Sequence, residues 1–337
     1  MIRLGLLRRF SSSPTEPARK PKIFRKLFFG TALAGYGYYQ YEHYSRNMEL
    51  ASRLDIPFYK VLMYKAVPFS AFSSLAQWVE KQEISSPFWR QVLLGTYAKV
   101  FGCNMEEATK PIEDFKSFGE FFARPLKLGV RTFKSVNGLV SSTDGKVLHC
   151  GRVQFDEAGS VFPEQVKGSL YRLSDLIGQE AADKFAKDKN KVIYYCTVYL
   201  APGDYHRFHS PANIKVESVA QFSGEVLSVA PIMMRLVPNL LCMNERKAVN
   251  GTWKHGRISI IPVGAANVGS VVLNDNVKPA QRIPMAAEIG RFELGSTVVY
   301  IFEAPPNAQW KVSPGSSVKL GEPIITVPRS KWSFKLW

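Results

Sequence analysis

The distribution of apolar and polar positions divides the chain into a helical first part and a strand-rich second part. Between residues 48 and 125 apolar side chains recur at helical spacing, and the pair Ser86-Pro87 predicts the start of a helix. From about residue 130, short β-branched and aromatic runs alternate with glycine and proline, which predicts strands joined by turns. The pattern predicts an α+β fold: an N-terminal helical region followed by a mainly antiparallel β-sheet or barrel-like core. The runs are VIYYCTVYLAP, ISIIPVGA, TVVYIFEAP and PIITVP.

An uncharged run near the N-terminus predicts a transmembrane anchor over residues 23–45. No charged side chain lies between Leu27 and Tyr41. As a helix this stretch would cover about 22 Å, against roughly 30 Å for the hydrocarbon core of a bilayer. Two more apolar residues lengthen it if the basic pair Arg25-Lys26 extends its charged ends to the interface. Tyrosines cluster at its far end, as in an interfacial aromatic belt. A buried or interfacial helix is the alternative.

The segment before this run, residues 1–22, has the composition of a mitochondrial transit peptide followed by a basic linker. MIRLGLLRRFSSS combines arginine with apolar residues and serines, and no acid precedes Glu16. A disordered basic tail is the alternative. If the anchor spans the inner membrane once, its basic flank places the N-terminus in the matrix. The body of the chain, residues 46–337, then faces the intermembrane space.

The net charge of the chain indicates the chemical class of its partner. The chain has 44 basic and 28 acidic residues, a formal charge of +16. The first 48 residues hold nine basic and two acidic residues, so +9 remains on residues 49–337. Such an excess favours an anionic partner. The sequence lacks Rossmann, P-loop and HExxH motifs and a basic motif interleaved with aromatics, so we expect an anionic membrane or lipid and no nucleic acid. The four cysteines are far apart and predict no metal site.

Three polar fragments carry the candidate chemistry. His206 and His209 lie in APGDYHRFHSP, and two imidazoles in one loop can both accept and deliver protons near neutral pH. Asp144 lies in SSTDGKV, a common turn composition. Ser296 follows Gly295 directly before a predicted strand. An acid that orients an imidazole, which deprotonates a hydroxyl, is a general way to activate a nucleophile. A hydrolase would normally hold its serine in a GxSxG elbow, and none surrounds this one.

These fragments together resemble the membrane-bound, pyruvoyl-dependent phosphatidylserine decarboxylase family, and the presequence and anchor resemble its mitochondrial branch. The tetrapeptide Leu-Gly-Ser-Thr at 294–297 matches the family's self-cleavage sequence. The collinear matches are FFARPLK (121–127), TDGKV (143–147), VKGSLYRLSDLIG (166–178), YLAPGDYHRFHSP (199–211), GEVLSV (224–229), NER (244–246), VGAANVGS (263–270) and GRFELGSTVVYIFE (290–303).

The resemblance implies that the chain is a zymogen that cuts itself between Gly295 and Ser296. Ser296 would attack the Gly295 carbonyl, with His209 as the base and Asp144 steering it. Elimination from the resulting ester would turn Ser296 into a covalent pyruvoyl group, the implied cofactor. His206 is the candidate proton donor in the later decarboxylation, for which a neighbouring tyrosine or a water is the alternative.

The products implied are a long chain, whose part in the body is 46–295, and a short chain, 296–337, held together as a heterodimer. The pyruvoyl carbonyl would form a Schiff base with phosphatidylserine in the membrane, take up the electrons as carbon dioxide leaves, and yield phosphatidylethanolamine. A homo-oligomer is left open.

Three other functions remain open on the sequence. A serine hydrolase would keep Ser296 intact and the chain uncut. A pyruvoyl enzyme for a soluble amino acid is disfavoured by the anchor and by the charge of the body. A membrane-tethered lipid-binding or scaffold protein without catalysis explains the anchor and the charge but not the three assembled fragments.

Overall fold

A sheet-rich core and a small helical cluster make up the described part of the chain, all of which lies within residues 65–337. The computed structural model describes residues 78, 82–134, 137–155, 161–163, 172–185, 191–225, 227–231, 234, 239–265, 271–293 and 296–328. The predicted transit peptide and linker, 1–22, and the predicted anchor, 23–45, lie outside the described residues and stay predictions. Within the described part, no helix has both the length and the apolar composition needed to cross a bilayer.

Helices occupy the first part of the described chain, as the apolar spacing predicted. The main helix begins at Pro87, with Ser86 as its N-cap, and ends before Gly102, which adopts a left-handed conformation with φ 68°. Proline suits the first turn because its missing N–H would have no partner there, and glycine tolerates the left-handed cap. The helices are α1 (Pro87–Phe101), a 3-10 helix (Ile112–Asp114), α2 (Phe118–Phe122), α3 (Leu173–Ile177), α4 (Gln179–Phe185) and α5 (Leu240–Met243).

The four predicted strand runs all form strands. The strands are β1 (Gly138–Val140), β2 (Gly145–Phe155), β3 (Val161–Pro163), β4 (Val192–Leu200), β5 (Arg207–His209), β6 (Ile214–Phe222), β7 (Arg246–Trp253), β8 (Gly256–Gly264), β9 (Val271–Leu273), β10 (Arg282–Ile283), β11 (Glu288–Phe292), β12 (Ser296–Ala304), β13 (Gln309–Trp310), β14 (Ser317–Val318) and β15 (Pro323–Thr326).

A sheet of nine strands forms the centre of the fold. Its order is β10-β6-β7-β8-β12-β4-β2-β14, with β3 paired to β2, and its strand pairs are antiparallel. Strand β12 is buried at every position and lies between β4 and β8. The α+β prediction is confirmed. Among the described strands, β10 and β14 end the order without pairing to each other, so the sheet is open rather than a closed barrel.

Two smaller sheets and a helical cluster place the polar fragments. Strand β11 pairs with both β5 and β9, and β15 pairs with both β1 and β13. On the helical side, apolar residues of α1 and α2 form a separate core with Phe115. The hydroxyl of Tyr97 on α1 donates to the carbonyl of Pro202 at 3.2 Å. The helical region therefore packs on the loop that joins β4 to β5.

Candidate functional site

His206 is a neutral, fully buried imidazole with one free nitrogen. It is 0% exposed, and its ring centroid lies 3.9 Å from that of Phe122. Nδ1 lies 2.9 Å from the carbonyl oxygen of Asp204, which can only accept, so Nδ1 carries the proton. Nε2 is buried and has no hydrogen-bond partner among the described residues. Burial lowers the pKa of His206 to about 3, because the charged form is poorly solvated there.

His209 has the same tautomer, but its second nitrogen is occupied. Nδ1 donates to the carbonyl of Ala286 at 2.8 Å, and the hydroxyl of Tyr205 contacts Nε2 at 2.9 Å. The proton on Nδ1 makes Nε2 the acceptor of the tyrosine hydroxyl. Burial lowers the pKa of His209 as well. Both histidines are therefore neutral near pH 7 and present an Nε2 lone pair.

The pairing of β5 with β11 explains the partner of His209. Glu288 lies opposite His209 in the register, which brings the preceding Ala286 beside the imidazole. Ala286 has φ 75°, a left-handed conformation that residues with a side chain rarely adopt. Strain of this kind persists where the surroundings enforce it, and here it accompanies the carbonyl that sets the tautomer of a candidate base.

Asp144 is an ionised carboxylate held by two basic side chains. Arg131 donates to both of its oxygens, at 3.1 and 2.6 Å, and Lys319 Nζ lies 3.1 Å away. The backbone N–H of Leu320 donates at 2.8 Å. Burial by itself would raise the pKa of Asp144, but these hydrogen bonds and charges outweigh it and hold the pKa below its usual value.

The antiparallel pairing of β2 and β14 creates this network. Val318 lies opposite Gly145, so the residues after β14 meet the residue before β2. None of the hydrogen bonds among the described residues joins Asp144 directly to His209. The two are linked through the backbone, because the N–H of His209 donates to the carbonyl of Ser142 at 2.8 Å. Asp144 is thus linked to His209 indirectly, because it lies two residues after Ser142, whose carbonyl binds the backbone N–H of His209.

Ser296 opens the central strand of the fold. Its Cα pairs with Leu200 of β4 on one side and with Gly264 of β8 on the other. The residue is 0% exposed, and its Oγ has no hydrogen-bond partner among the described residues. Gly295, the other residue of the predicted cleavage site, lies outside the described residues. A buried hydroxyl without a partner is energetically costly, and Ser296 combines this feature with its place in the matched tetrapeptide at 294–297.

Strand β11, which precedes Ser296 in the chain, lies beside the loop that carries His206. The N–H of Phe292 in β11 donates to the carbonyl of His206 at 2.8 Å. On the other side of β12, Asn244 Nδ2 donates to the carbonyls of Leu227 and Gly264 at 2.6 and 2.9 Å. Gly264 lies opposite Ser296 in the sheet, so Asn244, the first residue of the NER motif, binds the strand next to the predicted cleavage site. Among the described residues, no group of His, Cys, Asp and Glu side chains could hold a metal ion.

Several partners in this site were not predicted from the sequence. Arg131 and Lys319 neutralise Asp144, and the carbonyl of Ala286 binds the imidazole of His209. Arg124 donates to the loop that carries His206. Only Arg124 had a sequence signal, because it lies in the matched fragment FFARPLK. The other contacts join segments that are distant in the sequence.

Comparisons with known proteins agree with the motifs. The model of the family "Phosphatidylserine decarboxylase" matches residues 118–326. "Phosphatidylserine decarboxylase proenzyme, mitochondrial" of Pongo abelii is 33% identical over 92% of this chain and 86% of that protein. The protein of the same name from Caenorhabditis elegans is 35% identical over 79% of this chain and 74% of its own length. "Phosphatidylserine decarboxylase proenzyme 1, mitochondrial" of Schizosaccharomyces pombe is 30% identical over 95% of both chains.

Proposed function

Since the chain belongs to the phosphatidylserine decarboxylase family, we propose that it converts phosphatidylserine to phosphatidylethanolamine with a pyruvoyl group made from its own Ser296. The observation that carries this proposal is the hydroxyl of Ser296, which is fully buried and without a partner among the described residues. A serine hydrolase needs its nucleophile open to an external substrate. A buried hydroxyl at the start of a strand instead suits attack on its own backbone.

Self-cleavage requires a base for this hydroxyl. We assign that role to His209, whose Nε2 lone pair is aimed by the hydrogen bond from Nδ1 to the carbonyl of Ala286. Tyr205 contacts Nε2 at 2.9 Å, so the tyrosine hydroxyl can relay the proton or move aside. Asp144 supports the arrangement through the backbone: its carboxylate is held by Arg131 and Lys319, and it lies two residues after Ser142, whose carbonyl accepts from the N–H of His209.

The pyruvoyl carbonyl supplies the electron sink that decarboxylation of an amino acid needs and that natural side chains lack. The residues around Ser296 fit such a group: the site is buried, and an unoccupied imidazole nitrogen lies in the neighbouring loop. Because His206 is neutral, it transports a proton rather than storing one. It can deliver a proton to the α-carbon only after its unoccupied Nε2 has taken one up during the reaction.

The short chain, 296–337, should remain bound after cleavage. Strand β12 keeps nine paired positions with β4 and seven with β8. Asp144 contacts Lys319 and Leu320, which would lie in the short chain, and Arg131, which would lie in the long chain. These contacts support a heterodimer of the two products.

The proposed lipid substrate supports a membrane location, and the relatives, which are named as mitochondrial, support a location in that organelle. We place the protein in the inner membrane with the N-terminus in the matrix and the body in the intermembrane space. Helix α1 supports contact of the body with lipid. Its inner side packs on the β4–β5 loop through Tyr97, while Phe88, Trp89, Leu93 and Val100 are exposed.

The decisive test is an intact-mass measurement paired with an activity assay. The purified protein should separate into two fragments, the smaller one beginning at residue 296 with a blocked N-terminus. It should release carbon dioxide from carboxyl-labelled phosphatidylserine. A single uncut chain with full activity would contradict the pyruvoyl mechanism. A cut chain that releases no carbon dioxide would contradict the assignment of phosphatidylserine as the substrate.

A further inference from the structure

Arg124 is a buried cation with unused hydrogen-bond donors. The residue is 3% exposed, and its guanidinium lies over the ring of Phe121 at 5.7 Å. Nη2 donates to the carbonyls of Gly203 and Asp204 at 2.6 and 3.1 Å. Nε and Nη1 are buried and have no hydrogen-bond partner among the described residues. A buried charge with unpaired donors is unfavourable unless another group completes it.

The guanidinium lies next to the imidazole that serves the substrate. Arg124 Nη2 and His206 Nδ1 both donate to the same oxygen, the carbonyl of Asp204. The side chain of Asp204 is engaged elsewhere, since it accepts from the N–H of Ala201 at 2.8 Å. Within the described residues, Arg124 therefore forms no salt bridge, and its charge is left for an anion that enters beside His206.

We propose that Arg124 binds the phosphodiester of the phospholipid headgroup, an inference that rests on the proposed function. One methylene and one ester oxygen separate the phosphorus from the α-carbon of the serine headgroup. An anion site adjoining the histidine that protonates the α-carbon therefore matches the spacing of the lipid. The planar guanidinium presents its donors in the geometry that phosphate oxygens accept.

The carboxylate of the headgroup is the less suitable anion for this site. It leaves as carbon dioxide, so its negative charge moves away in the transition state. A cation on the carboxylate would stabilise the substrate more than the transition state and would slow the reaction. The phosphodiester keeps its charge throughout and is present in both substrate and product. A cation bound to it holds the lipid without opposing the chemistry.

The test compares binding of substrate and product. We would measure KM and kcat for dioctanoyl-phosphatidylserine, and Ki for dioctanoyl-phosphatidylethanolamine, in the wild type, Arg124→Lys and Arg124→Gln. Loss of one charge-assisted hydrogen bond weakens binding roughly 10-fold or more, so the loss of two should raise KM at least roughly 100-fold in Arg124→Gln. Ki for the product should rise by the same factor, because the product retains the phosphodiester, while kcat changes little. Arg124→Lys should recover part of both affinities.

Each other outcome overturns the proposal in a distinct way. A higher KM with an unchanged Ki for the product means that Arg124 binds the carboxylate. Unchanged KM and Ki mean that it binds no part of the headgroup. Failure of both variants to self-cleave means that the residue is structural. Inorganic phosphate should inhibit the wild type but not Arg124→Gln; if it inhibits both equally, free phosphate binds elsewhere and the site is not an anion site.

Arg152→Gln is the matched control. This guanidinium also lies over an aromatic ring, that of Tyr194 at 5.6 Å, and donates to a carbonyl, that of Pro306 at 2.9 Å. It is remote from the histidine loop, so KM and Ki should stay at wild-type values. Carbon dioxide release by the wild type is measured first. Its absence would refute the proposed function itself, whereas a failure confined to Arg124 variants refutes only the phosphodiester site.

Discussion

The carboxylate of Asp144 should stabilise the fold as well as the cleavage reaction. Replacing it by asparagine keeps an acceptor for the N–H of Leu320 but removes the negative charge between Arg131 and Lys319. Breaking a buried ion pair typically costs 3–5 kcal/mol. Arg131 retains its ion pair with Glu107 at 2.6 Å, so we expect the free energy of unfolding to fall by the lower end of this range, about 3 kcal/mol. For a body of this size that corresponds to a fall in Tm of roughly 6–12 °C.

The measurement uses the uncut precursor, so that cleavage does not change the molecule being melted. Thermal unfolding of Ser296→Ala is compared with that of Ser296→Ala combined with Asp144→Asn, both as full chains in detergent. Self-cleavage of Asp144→Asn is followed separately on a gel and should be strongly slowed. A Tm within about 1 °C of the reference would refute the structural role that we assign to the carboxylate.

The same carboxylate predicts a pH dependence of stability. The pKa of Asp144 is lowered in the folded protein, so the stabilisation is present above the unfolded value, near 3.9, and is lost as the pH falls through the folded value. Acidification below about pH 4 should therefore destabilise the Ser296→Ala precursor more than the double variant. Parallel curves of Tm against pH for the two proteins would contradict this linkage.

Four further predictions concern the reaction and the anchor. Ser296→Ala should remain one intact chain on a gel and release no carbon dioxide. The His209→Ala protein should remain as uncut precursor, because loss of a general base costs about 10²–10⁴-fold in rate. The His206→Ala protein should cut itself normally but release little carbon dioxide. The reverse pattern would mean that the two histidines have each other's role. Tyr205→Phe should alter the pH profile of cleavage more than its extent, and an unchanged profile would show that the hydroxyl is not involved. Deletion of residues 1–45 should release the protein from mitochondrial membranes and leave self-cleavage intact. If carbonate treatment already extracts the full-length chain from the membrane, the anchor does not span it.

The fold class and its main strands could be predicted from the sequence because they depend on local patterns. A run such as VIYYCTVYL is long enough only for a strand, and β4 forms over that run. Strand β12 begins at Ser296, where the pattern changes from glycine to β-branched residues. The helix start at Pro87 depends on one residue without an N–H. The motifs were recognisable because they are short and contiguous, and they indicated the family that the comparisons show.

The contacts that set protonation and charge were decided by the tertiary structure. Asp144 meets Lys319 across 175 residues, and His209 meets Ala286 across 77. No local pattern specifies such partners, because strand pairing and loop packing select them after the chain has folded. The imidazole Nδ1 of His209 donates to the carbonyl of Ala286, which the β5–β11 pairing places beside it, and a long-range pairing of this kind cannot be read from a short motif. The sequence by itself indicated which residues are candidates for the chemistry, because they lie in short contiguous motifs, whereas the fold decided which hydrogen bonds each of them makes and therefore which nitrogen of each histidine holds the proton.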